Sequence, residues 1–119
     1  MPHLTIEYSA NLAALADTPV LRELNAAVTS SPEVPNEAGL KTRLVPMAGF
    51  QVGTSTEPRA FIHAQLRLLA GRSPEAKRDL AGRVAGVLRR LAPRPAGVLV
   101  QLSVEVADMD RDSYVQEKL

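Results

Sequence analysis

The chain has 119 residues, 45% of them hydrophobic, a formal net charge of +1 and no cysteine. That length sets a single domain spanning 1–119 as the expectation, and the missing cysteines exclude disulfides, thiolate nucleophiles and cysteine-based zinc sites. No apolar run approaches the roughly 20 residues of a spanning helix, and no basic segment followed by an apolar stretch marks a secretory leader, so a cytoplasmic protein without membrane contact is expected.

In chain order, "PHLTIEYS" alternates with the period of a half-buried strand, Pro2, Leu4, Ile6 and Tyr8 on one side and His3, Thr5, Glu7 and Ser9 on the other. "ADTPVLRELNAAVTSSP" predicts a helix with Thr18 as N-cap, Pro19 in its first position, and Val20, Leu21, Leu24, Ala27 and Val28 on its inner face. Ser31 and Pro32 end it. The turn "EVPNEAG" delivers the chain to "LKTRLVPMAGFQV", a strand expected to break or bulge at Pro46 and to lie near an edge, because proline cannot donate to an interior ladder. After "GTSTEPR", the segment "AFIHAQLRLLA" predicts a third strand with Phe61 in the core and Gln65 and Arg67 facing elsewhere. Ser73 as N-cap, Pro74 and Glu75 announce a second helix, whose buried stripe is Ala76, Leu80, Val84, Val87, Leu88 and Leu91 and which Pro93 and Pro95 terminate. "AGVLVQLSVEV" is the fourth strand, and "ADMDRDSYVQEKL" is a polar tail placed to reach a neighbour.

The two halves, roughly 2–57 and 58–107, share one plan: Thr18-Pro19 and Ser73-Pro74 open helices about 55 residues apart, each between two strands. Doubled β-α-β units predict an α+β fold with a four-stranded mixed sheet and two helices on one face. Apolar residues on the other face would need a partner subunit, which points to a closed oligomer. The same element order describes a ferredoxin-like domain, so both architectures stay open at this level.

Between Arg59 and Arg94 stand nine Lys or Arg against Glu75 and Asp79. This bias reads first as a solvated helix face, then as a site for a small anion, and last as a nucleic-acid surface, since two Phe, two Tyr and no Trp offer few stacking platforms. His3 and His63 are the only histidines and lack metal-ligand spacing; no phosphate-binding glycine loop or nucleophile elbow is present. A structured transition-metal site is not expected from these residues. His3 is expected to be structural or interfacial, His63 a satisfied core histidine, and Glu7, across the strand from Pro2, without a chemical role. Pro2 is different. With Met1 removed it carries the chain's only backbone amine, on a fixed ring, and an α-amine of reference pKa about 7.7–8.0 becomes a neutral base near pH 7 when dried or placed beside cations. A proline in second position also simply permits methionine removal with no chemistry attached.

"PHLTIEYSAN", with Pro2, His3, Leu4, Glu7, Ser9 and Asn11, resembles the opening of the 5-carboxymethyl-2-hydroxymuconate isomerases of the tautomerase superfamily. The similarity continues through "AGLKTRL", "AFIHAQLRL", "GRS" and "VLVQLSVEV". The resemblance implies a fused β-α-β pair assembled as a homotrimer with sites between subunits, no metal or cofactor, and tautomerisation of a small carboxylate-bearing enol from aromatic catabolism. It implies that Pro2 is the general base and acid, and that Lys41, Arg43 and Arg72 bind the substrate. Lys41 stands where the family usually presents arginine, which keeps the charge but loses the two-pronged grip on a carboxylate. Pro46 and the small-residue segment "MAGFQVGTSTE" also depart from the family pattern. The alternative is a non-catalytic trimeric or ferredoxin-like module that binds an anionic metabolite through its basic segment.

Overall fold

The computed structural model covers residues 1–119. Its strands and helices run β1 His3–Ser9, α1 Val20–Thr29, β2 Lys41–Met47, β3 Arg59–Leu69, α2 Pro74–Leu91 and β4 Leu99–Met109. The sheet order is β2-β1-β3-β4. β1 and β2 pair in parallel, as do β3 and β4, and the two pairs join antiparallel through β1 and β3. Each parallel pair therefore encloses its own helix, the arrangement expected of doubled β-α-β units. No helix is long and apolar enough to cross a membrane.

Even-numbered side chains of β1 and β3 form the buried face: Leu4, Ile6, Ala60, Ile62, Ala64 and Leu66 are fully inaccessible. Against them lie Val20, Leu24 and Val28 of α1 and Leu80, Val84, Val87 and Leu88 of α2, all in one cluster. The Ser73 hydroxyl accepts from the Ala76 N–H at 3.1 Å and Pro74 opens α2, so this cap forms as its sequence dictates. Ala76 and Leu91 at the ends of the stripe are only half-buried.

Several local expectations change. Residues Ala10–Asp17 form a 3-10 helix that buries Leu12 and Leu15. Thr18 belongs to its end rather than to α1: the Thr18 hydroxyl donates to the Leu15 carbonyl at 2.7 Å, and Pro19 takes the N-cap place. Leu21 is turned outward, 40% exposed. β2 runs without a bulge through Pro46, which sits opposite Tyr8. The edge position expected for β2 explains this, because a strand with one neighbour loses no ladder bond where its N–H would point outward.

Phe61 is not in the core. Register pairs Ile62 with Tyr8 and His63 with Glu7, which puts Phe61, His63, Gln65 and Arg67 together on the helix-free face. There Phe61 packs edge-on against Phe50 at 6.1 Å. His63 is likewise no core histidine: it is half-buried on that face, with Nδ1 at 2.7 Å from Ser103 Oγ and Nε2 at 2.8 Å from Glu105 Oε2. The helix-free face thus carries Thr5, Glu7, Arg43, His63, Gln65 and Glu105, with Val45 and Phe61 as apolar residues among them. Ser9 also departs from simple alternation: it is buried, and its hydroxyl accepts from the Phe61 N–H at 3.0 Å.

Candidate active site

The chain's start is held where β1 meets β2. Pro2 is buried, and its carbonyl accepts from the Lys41 N–H at 3.2 Å, the first rung of the β1–β2 ladder. Lys41 is paired with His3 in that ladder and Arg43 with Thr5. Two residues apart on one strand, Lys41 and Arg43 project to the same side. The Lys41 ammonium donates to the Gly39 carbonyl at 2.9 Å. The Arg43 guanidinium donates through Nε to Thr5 Oγ1 and through Nη2 to His3 Nδ1, each at 3.1 Å.

Arg72 reaches the same end of the molecule from the β3–α2 loop. Its Nη1 donates to the Leu69 carbonyl at 2.9 Å and its Nη2 to the Glu33 carbonyl at 2.8 Å, while Nε lies 3.4 Å from the Glu33 carboxylate. Nε is buried with no hydrogen-bond partner. Much of this guanidinium's fork is therefore committed to the protein.

The sequence-based candidates did not include Arg111 and Tyr114, which the end of the chain brings to its beginning. After β4, Asp110 caps a short 3-10 turn over Arg111–Ser113 by accepting from the Asp112 N–H at 3.2 Å and the Ser113 hydroxyl at 2.8 Å. Arg111 Nε donates to the Ala70 carbonyl at 2.6 Å. The Tyr114 hydroxyl lies 2.9 Å from His3 Nε2 and 3.4 Å from the Met1 carbonyl oxygen. Through Arg111 and Tyr114 the first part of the tail folds back toward the chain's own N-terminal end. The signal was faint: one arginine and one tyrosine in a polar segment.

These placements set the electrostatics. Burial, and then the charges of Lys41, Arg72 and Arg111, hold the α-amine of Met1, one residue before Pro2, below its ordinary pKa. No carboxylate forms an ion pair with Lys41, Arg43 or Arg111, so the positive field is not neutralised locally. Burial and then Arg43, Lys41, the terminal amine and Arg67 lower the pKa of His3, which favours its neutral form. Beside Met1 lies a cavity of about 190 Å³, walled in part by Asn36, Gly39 and Lys41. Met1 Sδ stands where a Cβ on Gly39 would come within 2.8 Å, so this side chain fills the space over Gly39. Larger depressions elsewhere, including one of about 500 Å³ beside Phe50 and Arg59, are remote in sequence from this cluster of cations.

A free amine at the start of β1, among these cations and beside a small cavity, is chemically suited to exchanging protons with an anionic molecule. The comparisons with known proteins agree in class. A search of curated proteins finds no match. A 5-carboxymethyl-2-hydroxymuconate isomerase from Deinococcus radiodurans R1 has a similar structure, with a TM-score of 0.84 and 27% identity over 99% of this chain and 90% of its own. A 5-carboxymethyl-2-hydroxymuconate delta-isomerase shares the fold at a TM-score of 0.78 and 23% identity, over 100% of this chain and 88% of its own. A fused wild-type 4-OT, described as an asymmetric trimer, shares it at 0.71 and 15% identity, over 98% of this chain and 94% of its own. The family model for 5-carboxymethyl-2-hydroxymuconate isomerase matches residues 2–118, and the chain belongs to that family, an isomerase on the tautomerase fold.

Proposed function

We propose that the protein, once Met1 is removed, converts a small carboxylate-bearing enol or dienol into its ketone, with the Pro2 amine as base and then acid. The observation that supports this reading is that Lys41, Arg72 and Arg111 act on the amine of Met1, the residue whose removal frees the Pro2 nitrogen. A neutral secondary amine takes the enol proton; the electrons of the O–H bond become the new carbonyl, and the carbon–carbon double bonds shift along the chain. The protonated amine then delivers its proton to the far carbon, restoring the base. A basic group with pKa near the operating pH is suited to both transfers.

Lys41 and Arg111, free of carboxylate partners, hold the substrate's anionic groups. Arg72, tied to Leu69 and Glu33, contributes its charge more than its hydrogen bonds. Arg43 acts on substrate from the helix-free face, through the His3 side of the site. Similar folds described as trimers support a homotrimer. So do the outer edges of β2 and β4, which leave backbone groups unpaired and open to a neighbouring subunit. On this reading the enzyme works in the cytoplasm, on a product of aromatic-ring breakdown.

The test is ketonisation of 2-hydroxymuconate by the processed protein and by Pro2→Ala, with native mass spectrometry reporting loss of Met1 and the number of chains. Loss of a positioned general base lowers the rate by about 10²–10⁴-fold. Equal rates for the two processed proteins would remove Pro2 from the mechanism.

A further inference from the structure

The Met1 carbonyl is bonded directly to the Pro2 nitrogen, so its oxygen marks the space that nitrogen faces once Met1 is gone. Tyr114 reaches into that space: its hydroxyl lies 3.4 Å from the Met1 oxygen. The contact is long, as hydrogen bonds in unliganded sites often are before a substrate tightens them.

The direction of this hydroxyl is determined by its neighbours. A guanidinium carries only donors, so the 3.1 Å contact from Arg43 Nη2 makes His3 Nδ1 an acceptor and puts the ring proton on Nε2. Nε2 then donates to Tyr114 Oη across 2.9 Å, with the two rings edge-on at 6.2 Å and 74°. Tyr114, already accepting from His3, has its own proton free for the oxygen beside Pro2. The lowered pKa of His3 favours the neutral imidazole, and the Arg43 contact selects its tautomer.

We propose that Tyr114 is a catalytic residue whose hydroxyl donates a hydrogen bond to the substrate oxygen that passes from enol to carbonyl, with His3, oriented by Arg43, as its positioning residue. The proposal rests on the reading of Pro2 as the base, because an enol oxygen giving its proton to Pro2 must come to the place that Tyr114 addresses. As the O–H bond breaks and charge gathers on that oxygen, the bond from Tyr114 strengthens, and a donor that gains strength during the reaction lowers the barrier. Donation from His3 to Oη makes the phenol proton a better donor still. Nothing in this step needs an oxidant or a further reactant.

Two measurements test it. In the ketonisation assay, Tyr114→Phe, which removes one oxygen, lowers kcat about 10- to 100-fold and leaves KM within about threefold, as loss of a donor used mainly in the transition state does. His3→Leu lowers kcat in the same way, while His3→Gln, whose amide can accept from Arg43 and donate to Tyr114, restores most of it. The second measurement needs no turnover: calorimetric affinities for 2-oxoadipate and adipate differ by a single carbonyl oxygen. Wild type prefers 2-oxoadipate by about five- to tenfold, and Tyr114→Phe narrows that ratio to within twofold.

A kcat within twofold of wild type in Tyr114→Phe, or a wild type without preference for 2-oxoadipate, overturns the proposal. If Tyr114→Phe does not fold, His3→Leu decides by the same two readings. A wild type that fails to ketonise the dienol yet shows a Tyr114-dependent preference overturns both the Pro2 reading and the catalytic role of Tyr114, leaving only its contact with the bound oxygen; a defect in Pro2→Ala with none in Tyr114→Phe overturns the Tyr114 proposal and leaves Pro2 in place.

Discussion

Arg72 holds Glu33 by both its main chain and its side chain: Nη2 donates to the Glu33 carbonyl at 2.8 Å, and Nε stands 3.4 Å from the Glu33 carboxylate. With Nη1 on the Leu69 carbonyl, one guanidinium links the segment after α1 to the loop before α2. A residue fastened this way has two separable effects, packing of the loops and charge at the chain's start. Glu33→Gln removes only a partly exposed ion pair and costs up to about 1 kcal/mol. Arg72→Ala strips two carbonyls of their donor and costs about 2–3 kcal/mol, with loss of activity as well. Thermal or urea unfolding of the two variants beside wild type measures the difference; equal stabilities would show that the carbonyl bonds hold nothing together.

The cations around the terminal amine predict a pH profile. Their charges lower the pKa of the Met1 amine, and the same cations beside the Pro2 nitrogen, once Met1 is removed, are expected to make it neutral, and active, at a lower pH than an ordinary α-amine. Removing one charge raises that pKa and moves the acid limb of kcat/KM to higher pH. Arg111→Met is expected to move the limb to higher pH, with Lys41→Met moving it in the same direction. The profile is read on processed protein from pH 5 to 9. An acid limb that stays put in both variants would disconnect these side chains from the base.

His3 gives a stability signature of its own. Its folded pKa is lowered from the value of about 6.5 that it has in an unfolded chain. Between the two values the unfolded chain binds the proton and the folded chain does not, so stability rises with pH across that window. The contribution is complete above the unfolded value and is lost as pH falls through the folded one. Wild type therefore melts at a lower temperature at pH 5.5 than at pH 7.5, and His3→Gln, which keeps the hydrogen bonds without a titrating ring, loses less over the same interval. Identical pH slopes would contradict the lowered pKa.

The strands and helix faces were legible where one local rule decided them. Leu4, Ile6 and Tyr8 are buried because a half-covered strand has period two, and Ser73 caps α2 because its hydroxyl needs only the N–H three residues on. Errors arose where two local solutions competed. Thr18 precedes a proline as an N-cap should, yet its hydroxyl is taken by Leu15 in a 3-10 helix that the Leu12 and Leu15 spacing of three quietly encoded. Residue type alone points Phe61 and His63 to the core, whereas pairing with β1 puts both on the other face. A strand's face is decided by register, and a slip of one residue inverts it.

From the sequence alone came the doubled β-α-β plan, the strand that begins at Pro2 and the basic candidates Lys41, Arg43 and Arg72, since periodicity, caps and a shared opening motif lie within short stretches of chain. The convergence itself belongs to the tertiary structure. It directs Arg43 to His3, fastens Arg72 to backbone carbonyls, and brings Arg111 and Tyr114 back to the first residues, Tyr114 meeting His3 across a separation of 111 positions. Contacts of that range depend on how β4 lies beside β3 and where its last turn points, and no local pattern in the tail carries that information.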